Sequence, residues 1–295
     1  MNYSRLLCPS CKAELTCGDA FQCRKCNIVY SVYNGIPIML GSKGRGEKDQ
    51  ERDQNVAVEK EFYEDMFGNL KGLEDGHCIV YGYEEIYELM KSVERGTVIE
   101  PGCGAGHHGV NLSKMGFKVT SIDLSLNGLA AAKALAEHEK QDISFVCGDI
   151  MNLPFADNEF ETCFCSLVLH HFNNLDNVIK ELTRVTRKQF ISFEVNALDP
   201  VTFLRFNIMN PVFGIRNIVK NQRALFPNNL IKILKDYQFD IVRLTFEDAH
   251  EYLGRYPNSL KAKMIHTYQA IMKMFPGRYS KNKFLLYAKK NEQTP

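Results

Sequence analysis

"TVIEPGCGAGHHGVNL", residues 97–112, narrows the choice of fold more than any other stretch of this chain. A short apolar run, three glycines within five residues and a helix-forming segment follow one another, which writes a strand, a tight turn and a helix in that order. Glycine is needed where the backbone N–H groups at a helix start face a ligand closely, because a Cβ would block the approach.

The rest of the chain repeats that alternation. Apolar runs "KVTSID", "ISFVC", "ETCFCSLV" and "QFISFEV" alternate with helical segments such as "LNGLAAAKALAEHEK" and "LDNVIKELTRVT", the rhythm of a parallel sheet. The spacing predicts an α/β body over residues 58–295. It opens with two helical patterns, "VEKEFYEDMF" and "YEEIYELMKSVE", and ends with strand candidates "DIVRLTF" and "KFLLYAKK". Ahead of it, residues 41–57 are dense in glycine and charge and almost free of apolar residues, so they read as a linker. Residues 1–40 form a separate small module in which "YSVYNGIPIML" carries an Asn-Gly hairpin signal.

That module holds Cys8-x-x-Cys11 and Cys23-x-x-Cys26. Two such knuckles offer four thiolates to one tetrahedral Zn²⁺, a match of softness and geometry, so Cys8, Cys11, Cys23 and Cys26 are the expected metal ligands. Cys17 lies between the knuckles and is expected as a free thiol. The other cysteines are scattered through apolar runs, which suits buried thiols in a reducing compartment. With no apolar run of eighteen residues and no leader-like start, the chain reads as cytoplasmic.

The net charge of +1 hides an asymmetry. Residues 1–199 hold 20 Lys and Arg against 29 Asp and Glu, whereas residues 200–295 hold 16 against 6. Val201 to Lys235 contains six basic residues, no acid, and Phe203, Phe206, Phe213 and Phe226. Such a stretch suits either an anionic partner or a solvated helix face.

Gly104, Gly106 and Gly109 satisfy G-x-G-x-x-G, and Asp123 closes the next strand at the spacing of a dinucleotide site, so a nicotinamide dehydrogenase stays open on the glycine pattern alone. Three further features separate the readings. Glu100 ends the strand before the turn, where a carboxylate suits a ligand carrying an ammonium group and not a pyrophosphate. Asp149 in "CGDIMNLPF" follows the third strand and can accept from an adenine amino group. "SLVLHHF" follows the fourth.

This ordered set resembles the class I S-adenosylmethionine-dependent methyltransferases, particularly the small-molecule, quinone-biosynthesis-like subgroup. The resemblance covers residues 58–200 well and the remainder more loosely. It implies a Rossmann-like sheet of seven strands with the last antiparallel. It also implies that Gly102, Gly104 and Gly106 lie under the methionine part of the cofactor, with Glu100 toward its amino group. Asp123 would hold the ribose hydroxyls, Asp149 and Ile150 the adenine, and Ser166 would border the transfer cleft. Tyr63 would lie on a helix folded over the cofactor, unless it is simply core. His170 and His171 are the candidate bases for a hydroxyl acceptor, against a reading as a packed or capping pair. Specificity segments are expected near 200–225 and 250–280.

The cysteine module is similar to the small zinc-ribbon proteins that bind and activate methyltransferases, and more weakly to the ribbon of a ribosomal-RNA methyltransferase. The first implies a ribbon docked on its own enzyme, and the basic and apolar segments near 200–225 and 250–280 point to a small or lipid-linked, anionic substrate. The alternative is an RNA methyltransferase that uses the ribbon and the basic third together. The ribbon's Arg5, Lys12, Arg24 and Lys25 against Glu14 and Asp19 are a thin footprint for phosphates.

Overall fold

The computed structural model describes residues 6–18, 20–40, 83–209, 222–247 and 277–291, together with residues 263, 267 and 274. Tyr63, the linker 41–57 and most of the segments 210–221 and 250–280 lie outside the described residues. The chain divides into two compact units. The first is Met1–Glu74, Arg95–Cys165 and Asp176–Phe190; the second is Asp75–Glu94, Ser166–Leu175 and Ile191–Pro295.

The first unit contains the predicted βα alternation. Strands β6 (Thr97–Pro101), β7 (Lys118–Asp123), β8 (Ser144–Gly148) and β9 (Phe160–Ser166) are parallel, with β6 flanked by β9 and β7, and β7 by β8. The register runs from Thr97↔Lys118 to Pro101↔Ile122 on one side of β6, and through Val98↔Thr162 and Ile99↔Cys163 on the other. Because these strands share one direction, the turns after them leave from one edge, where sheets of this kind bind ligands. Val98, Ile99, Phe145, Val146, Cys163, Phe164 and Cys165 are all buried, the near-continuous apolar pattern of strands covered on both faces. The covering helices are α2 (His107–Lys114), α3 (Leu126–His138), whose Ser125 cap accepts from Gly128 N–H, and α4 (Leu175–Val185). Helix α4 buries Val178, Ile179, Leu182 and Val185, one stripe at helical spacing.

The cysteine module belongs to this unit as well. Its own antiparallel sheet is β1 (Thr16–Cys17), β2 (Phe21–Cys23) and β3 (Ile28–Tyr30). The predicted Asn-Gly hairpin follows, joining β4 (Val32–Tyr33) to β5 (Ile36–Met39), with Asn34 at φ 48° and Gly35 at φ 74°. Both central residues at positive φ make the turn that matches strand twist. Strand β5 then pairs parallel with β8 through Ile38↔Cys147 and Met39↔Gly148. The module therefore closes what would be an open edge, and Ile36 and Met39 are buried in doing so.

In the second unit, β11 (Phe239–Glu247) and β12 (Lys283–Lys290) pair antiparallel from Phe239↔Lys290 to Glu247↔Lys283, and β12 also neighbours β10 (Thr186–Val195). The terminal strand is antiparallel to β11, as expected. Among the described residues, strands β6 to β12 number the expected seven, and β4 and β5 are additions to that set. Helices α1 (Glu84–Ser92) and α5 (Pro227–Asp236) bury Ile86, Leu89 and Met90, and Leu230 and Leu234. Among the described residues, no helix is long and apolar enough to cross a membrane.

Candidate functional site

The glycine turn after β6 is held from both sides. Gly102 and Cys103 donate backbone N–H bonds to Ile122 O, and Gly104 N–H donates to Asp123 Oδ2 at 2.8 Å. Asp123 Oδ1 accepts from Ser125 N–H at 2.8 Å, so one carboxylate at the end of β7 pins the turn and the start of α3 together. Gly102, Gly104 and Gly106 all have positive φ. At Gly106, which caps α2 at φ 78°, a Cβ would come within 2.5 Å of Ala132 Cβ, so α3 and the turn can touch only through glycine.

Glu100 points into the interior beneath this turn. Its Oε2 accepts from Ser121 Oγ at 2.6 Å and its Oε1 from Gly109 N–H at 3.1 Å. Burial pushes the carboxyl up to about 8, opposed by those two bonds and reinforced by the nearby Asp123 charge. A Cβ on Gly109 would lie 2.6 Å from Glu100 Oε2, which gives the third glycine of the fingerprint its role in close helix–strand packing. Beyond β8, Asp149 Oδ1 accepts from Met151 N–H and Oδ2 from Asn152 Nδ2, with Ile150 buried beside it. His107 and His108 open α2; burial holds both below the usual imidazole range, and His108 stacks 5.4 Å from Phe164.

The remaining candidates belong to the second unit. Ser166 Oγ is buried with no hydrogen-bond partner among the described residues. His170 and His171 lie on a single 3₁₀ turn, their rings 4.2 Å apart, with His170 Nδ1 3.0 Å from Glu194 Oε2. Glu194 was not a sequence candidate. The available signal was an acid within the apolar run of β10, a position where a carboxylate is buried only if well bonded.

Sγ atoms of Cys8, Cys11, Cys23 and Cys26 all lie within 4.8 Å of one another, and Cys11 and Cys23 stand 3.6 Å apart. That is far beyond a disulfide bond and close to the roughly 3.8 Å edge of a tetrahedron with Zn–S arms of about 2.3 Å. Tyr30 Oη lies 3.2 Å from Cys8 Sγ, and burial raises Cys8 less than bonds to Tyr30 and to the backbone of Cys11 and Ser10 lower it, leaving it near 7. Crowding against Cys11 pushes Cys26 up to about 12. Four thiols this close share negative charge poorly without a cation, and a thiophilic ion supplies one. Cys17 is exposed and outside the cluster.

Residues 99–190 match the family profile described as a methyltransferase domain. Over this segment the chain is similar to methyltransferase domains. The chain is 35% identical to a malonyl-[acyl-carrier protein] O-methyltransferase of Pectobacterium atrosepticum over 104 residues, which is 35% of this chain and 40% of that enzyme. It is 28% identical to a demethylmenaquinone methyltransferase of Staphylococcus saprophyticus over 174 residues, 53% of this chain and 74% of that one. The first of these matches therefore spans less than half of the relative's length. The YcgJ protein of Bacillus subtilis shares the fold at a TM-score of 0.52 and 18% identity, over 71% of this chain and 99% of that one.

The cysteine module is fastened to the rest of the first unit by more than strand pairing. Lys12 Nζ donates to Leu153 O at 2.8 Å and to Glu181 Oε1 at 2.9 Å, and Leu7 N–H donates to Pro154 O. Arg184 holds Glu181 through Nε and Nη2, both at 2.8 Å, and reaches Phe155 O and Asp157. Burial raises the Glu181 carboxyl, but Arg184 and Lys12 together outweigh it and keep it below the usual range. At the β4–β5 turn, Asn34 O accepts from Lys133 Nζ of helix α3.

Proposed function

We propose that this protein transfers a methyl group from S-adenosylmethionine to a small or lipid-linked, anionic metabolite by in-line displacement. The observation that carries the reading is Glu100: a carboxyl buried under the glycine turn, pushed up to about 8 by burial, that gains from a cationic neighbour and offers nothing to a pyrophosphate. The fit of the cofactor rests on the turn between Asp123 and Gly106, which is lined with glycine where a side chain would obstruct a ligand.

Glu100, Gly102, Gly104 and Gly106 would hold the methionine part, Asp123 the ribose, and Asp149 and Ile150 the adenine. Ser166 and Tyr63 would complete the surroundings. The sulfonium supplies an already activated methyl group. The chain therefore has to align the acceptor, exclude water and deal with any proton the acceptor loses.

The four-cysteine cluster would hold structural Zn²⁺. Its neighbourhood favours a module that braces the catalytic domain over one that reads RNA. Lys12, one of the ribbon's few cations, is spent on Glu181 and Leu153 O and is not offered to phosphates. Titration of the full chain with S-adenosylmethionine, followed by transfer of labelled methyl to a small-molecule extract or to total RNA, tests the reading. Ribonuclease-sensitive label would favour RNA.

A further inference from the structure

The second unit carries a helical segment that is apolar on two faces. Asp199 caps it by accepting from Thr202 N–H at 2.8 Å, Pro200 opens its first turn, and the α-helix Pro200–Phe203 runs on into π-helical turns over Leu204–Met209. Its inner face is fixed by contacts within the unit. Phe203 and Phe206 pack on Val195, Ala197 and Ala224, and Asn207 accepts from Ala224 N–H at 2.9 Å while its amide donates to Ala224 O at 3.3 Å.

The outer face consists of Val201, Leu204, Arg205, Ile208 and Met209. Its four apolar side chains are between 45% and 49% exposed, and Phe226, whose ring lies 5.9 Å from that of Phe203, is exposed beside them. A helix that is apolar all round is ordinarily buried all round, and a contiguous exposed apolar face marks an interaction surface.

Charge indicates what covers it. Val201 to Lys235 contains six basic residues and no acid, whereas residues 1–199 hold 29 Asp and Glu against 20 Lys and Arg. Asp199, the acid just before the segment, is buried and engaged in the helix cap. Arg205 stands within the outer face itself, its guanidinium 5.4 Å from the Phe206 ring centroid. A side chain of this kind lays its stem along apolar surface and keeps its charge in the polar layer above.

The make-up of this face separates lipid from other anionic partners. A nucleic acid is held through several phosphate contacts and aromatic stacking, and a docked protein needs about one hydrogen bond per 100–200 Å² of interface. Of the five outer residues, Arg205 alone offers a hydrogen-bonding side chain. Acyl chains require no such partner, and anionic headgroups require a cation.

We propose that the outer face of Pro200–Met209 is a docking surface for an anionic lipid bilayer. Val201, Leu204, Ile208 and Met209 enter the boundary between headgroups and acyl chains, and Arg205 meets the phosphates. Because no helix among the described residues is long and apolar enough to cross a membrane, the segment lies on the bilayer and does not span it. The inference goes beyond the methyl-transfer reading and does not depend on it.

The chain has no tryptophan, so Ile208→Trp places a single indole in this face of the full-length protein. With vesicles of phosphatidylcholine containing about 30% phosphatidylglycerol, its emission should shift to the blue and be quenched by lipids brominated on the acyl chain, and added salt should weaken both effects. Pure phosphatidylcholine vesicles should give a clearly smaller shift. In sedimentation with the anionic vesicles, Leu204→Ser with Ile208→Ser should bind about tenfold more weakly than the wild type and Arg205→Gln about fivefold more weakly. Lys91→Gln, the same loss of charge at an exposed position of α1, should bind within about twofold of the wild type. Unchanged melting points establish that these surface variants fold.

No blue shift with anionic vesicles, an equal shift with neutral ones, or equal sedimentation of the wild type and the double serine variant overturns the proposal. A shift with total RNA and none with vesicles also overturns it and assigns the face to a nucleic acid. Cofactor binding and turnover enter none of these readouts, so failure here leaves the methyl-transfer reading standing.

Discussion

Replacing Glu100 with glutamine separates what its carboxyl costs the fold from what it does for a ligand. Burial raises this group from 4.5 to about 8, so between those values the folded chain binds a proton that the unfolded chain has released. Stability from this group is therefore complete below pH 4.5 and is lost as pH rises toward 8, at about 1.4 kcal/mol per unit, about 5 kcal/mol in all. Glutamine has nearly the same shape and no proton to lose. Its oxygen can accept from Gly109 N–H while its amide donates to Ser121. Glu100→Gln should match the wild type within about 1 kcal/mol at pH 5 and exceed it by about 4 kcal/mol at pH 9, measured as the difference between denaturant unfolding curves. The same variant should bind S-adenosylmethionine about 10- to 100-fold more weakly, having lost a charge-assisted contact to the ammonium group. Parallel stability-versus-pH curves for the two proteins would refute the argument that burial dominates at Glu100.

A cation bound beside Glu100 should draw its proton off, so S-adenosylmethionine affinity should increase from pH 6 to 8, and calorimetry in buffers of different ionisation enthalpy should register release of most of one proton at pH 7. Gly109→Ala would drive a methyl group to 2.6 Å from Glu100 Oε2 and should lower stability by about 1–3 kcal/mol, read by thermal unfolding. Cys8→Ser with Cys11→Ser should reduce bound zinc to well below one equivalent by elemental analysis, and because β5 pairs with β8 the loss should also lower the melting point of the α/β body. Lys12→Ala should cost only about 1 kcal/mol, because Arg184 continues to hold Glu181.

The parallel sheet and its glycine turn were legible because their determinants are local. Strand runs such as "TVIE" and "ISFVC", the helix stripes between them, and the asparagine–glycine hairpin at Asn34 all act over a few residues. The four metal candidates were legible for the same reason: each knuckle fixes two thiols by spacing, and only the meeting of the knuckles is tertiary. What the sequence concealed lies in pairings across long separations. Nothing near Lys12 announces Glu181, 169 residues away, and nothing in the apparent independence of residues 1–40 announces that Ile38 pairs with Cys147. Ser121 is a lone polar side chain buried within β7, and it carries the bond that anchors Glu100. Glu194 was passed over because a lone acid in an apolar strand has no motif; its meaning comes from the turn at Val168 and Leu169 folding back onto it.

Calorimetric titration of the full chain with S-adenosylmethionine, run in parallel on Asp123→Asn, tests the central claim most directly. Asp123→Asn keeps one acceptor oxygen, enough for one of the two backbone bonds that Oδ1 and Oδ2 accept, while removing the charge that would accept from two ribose hydroxyls. One site per chain in the wild type, with affinity falling tenfold or more in the variant, is the predicted result. No binding by the wild type, or equal binding by both proteins, would contradict it.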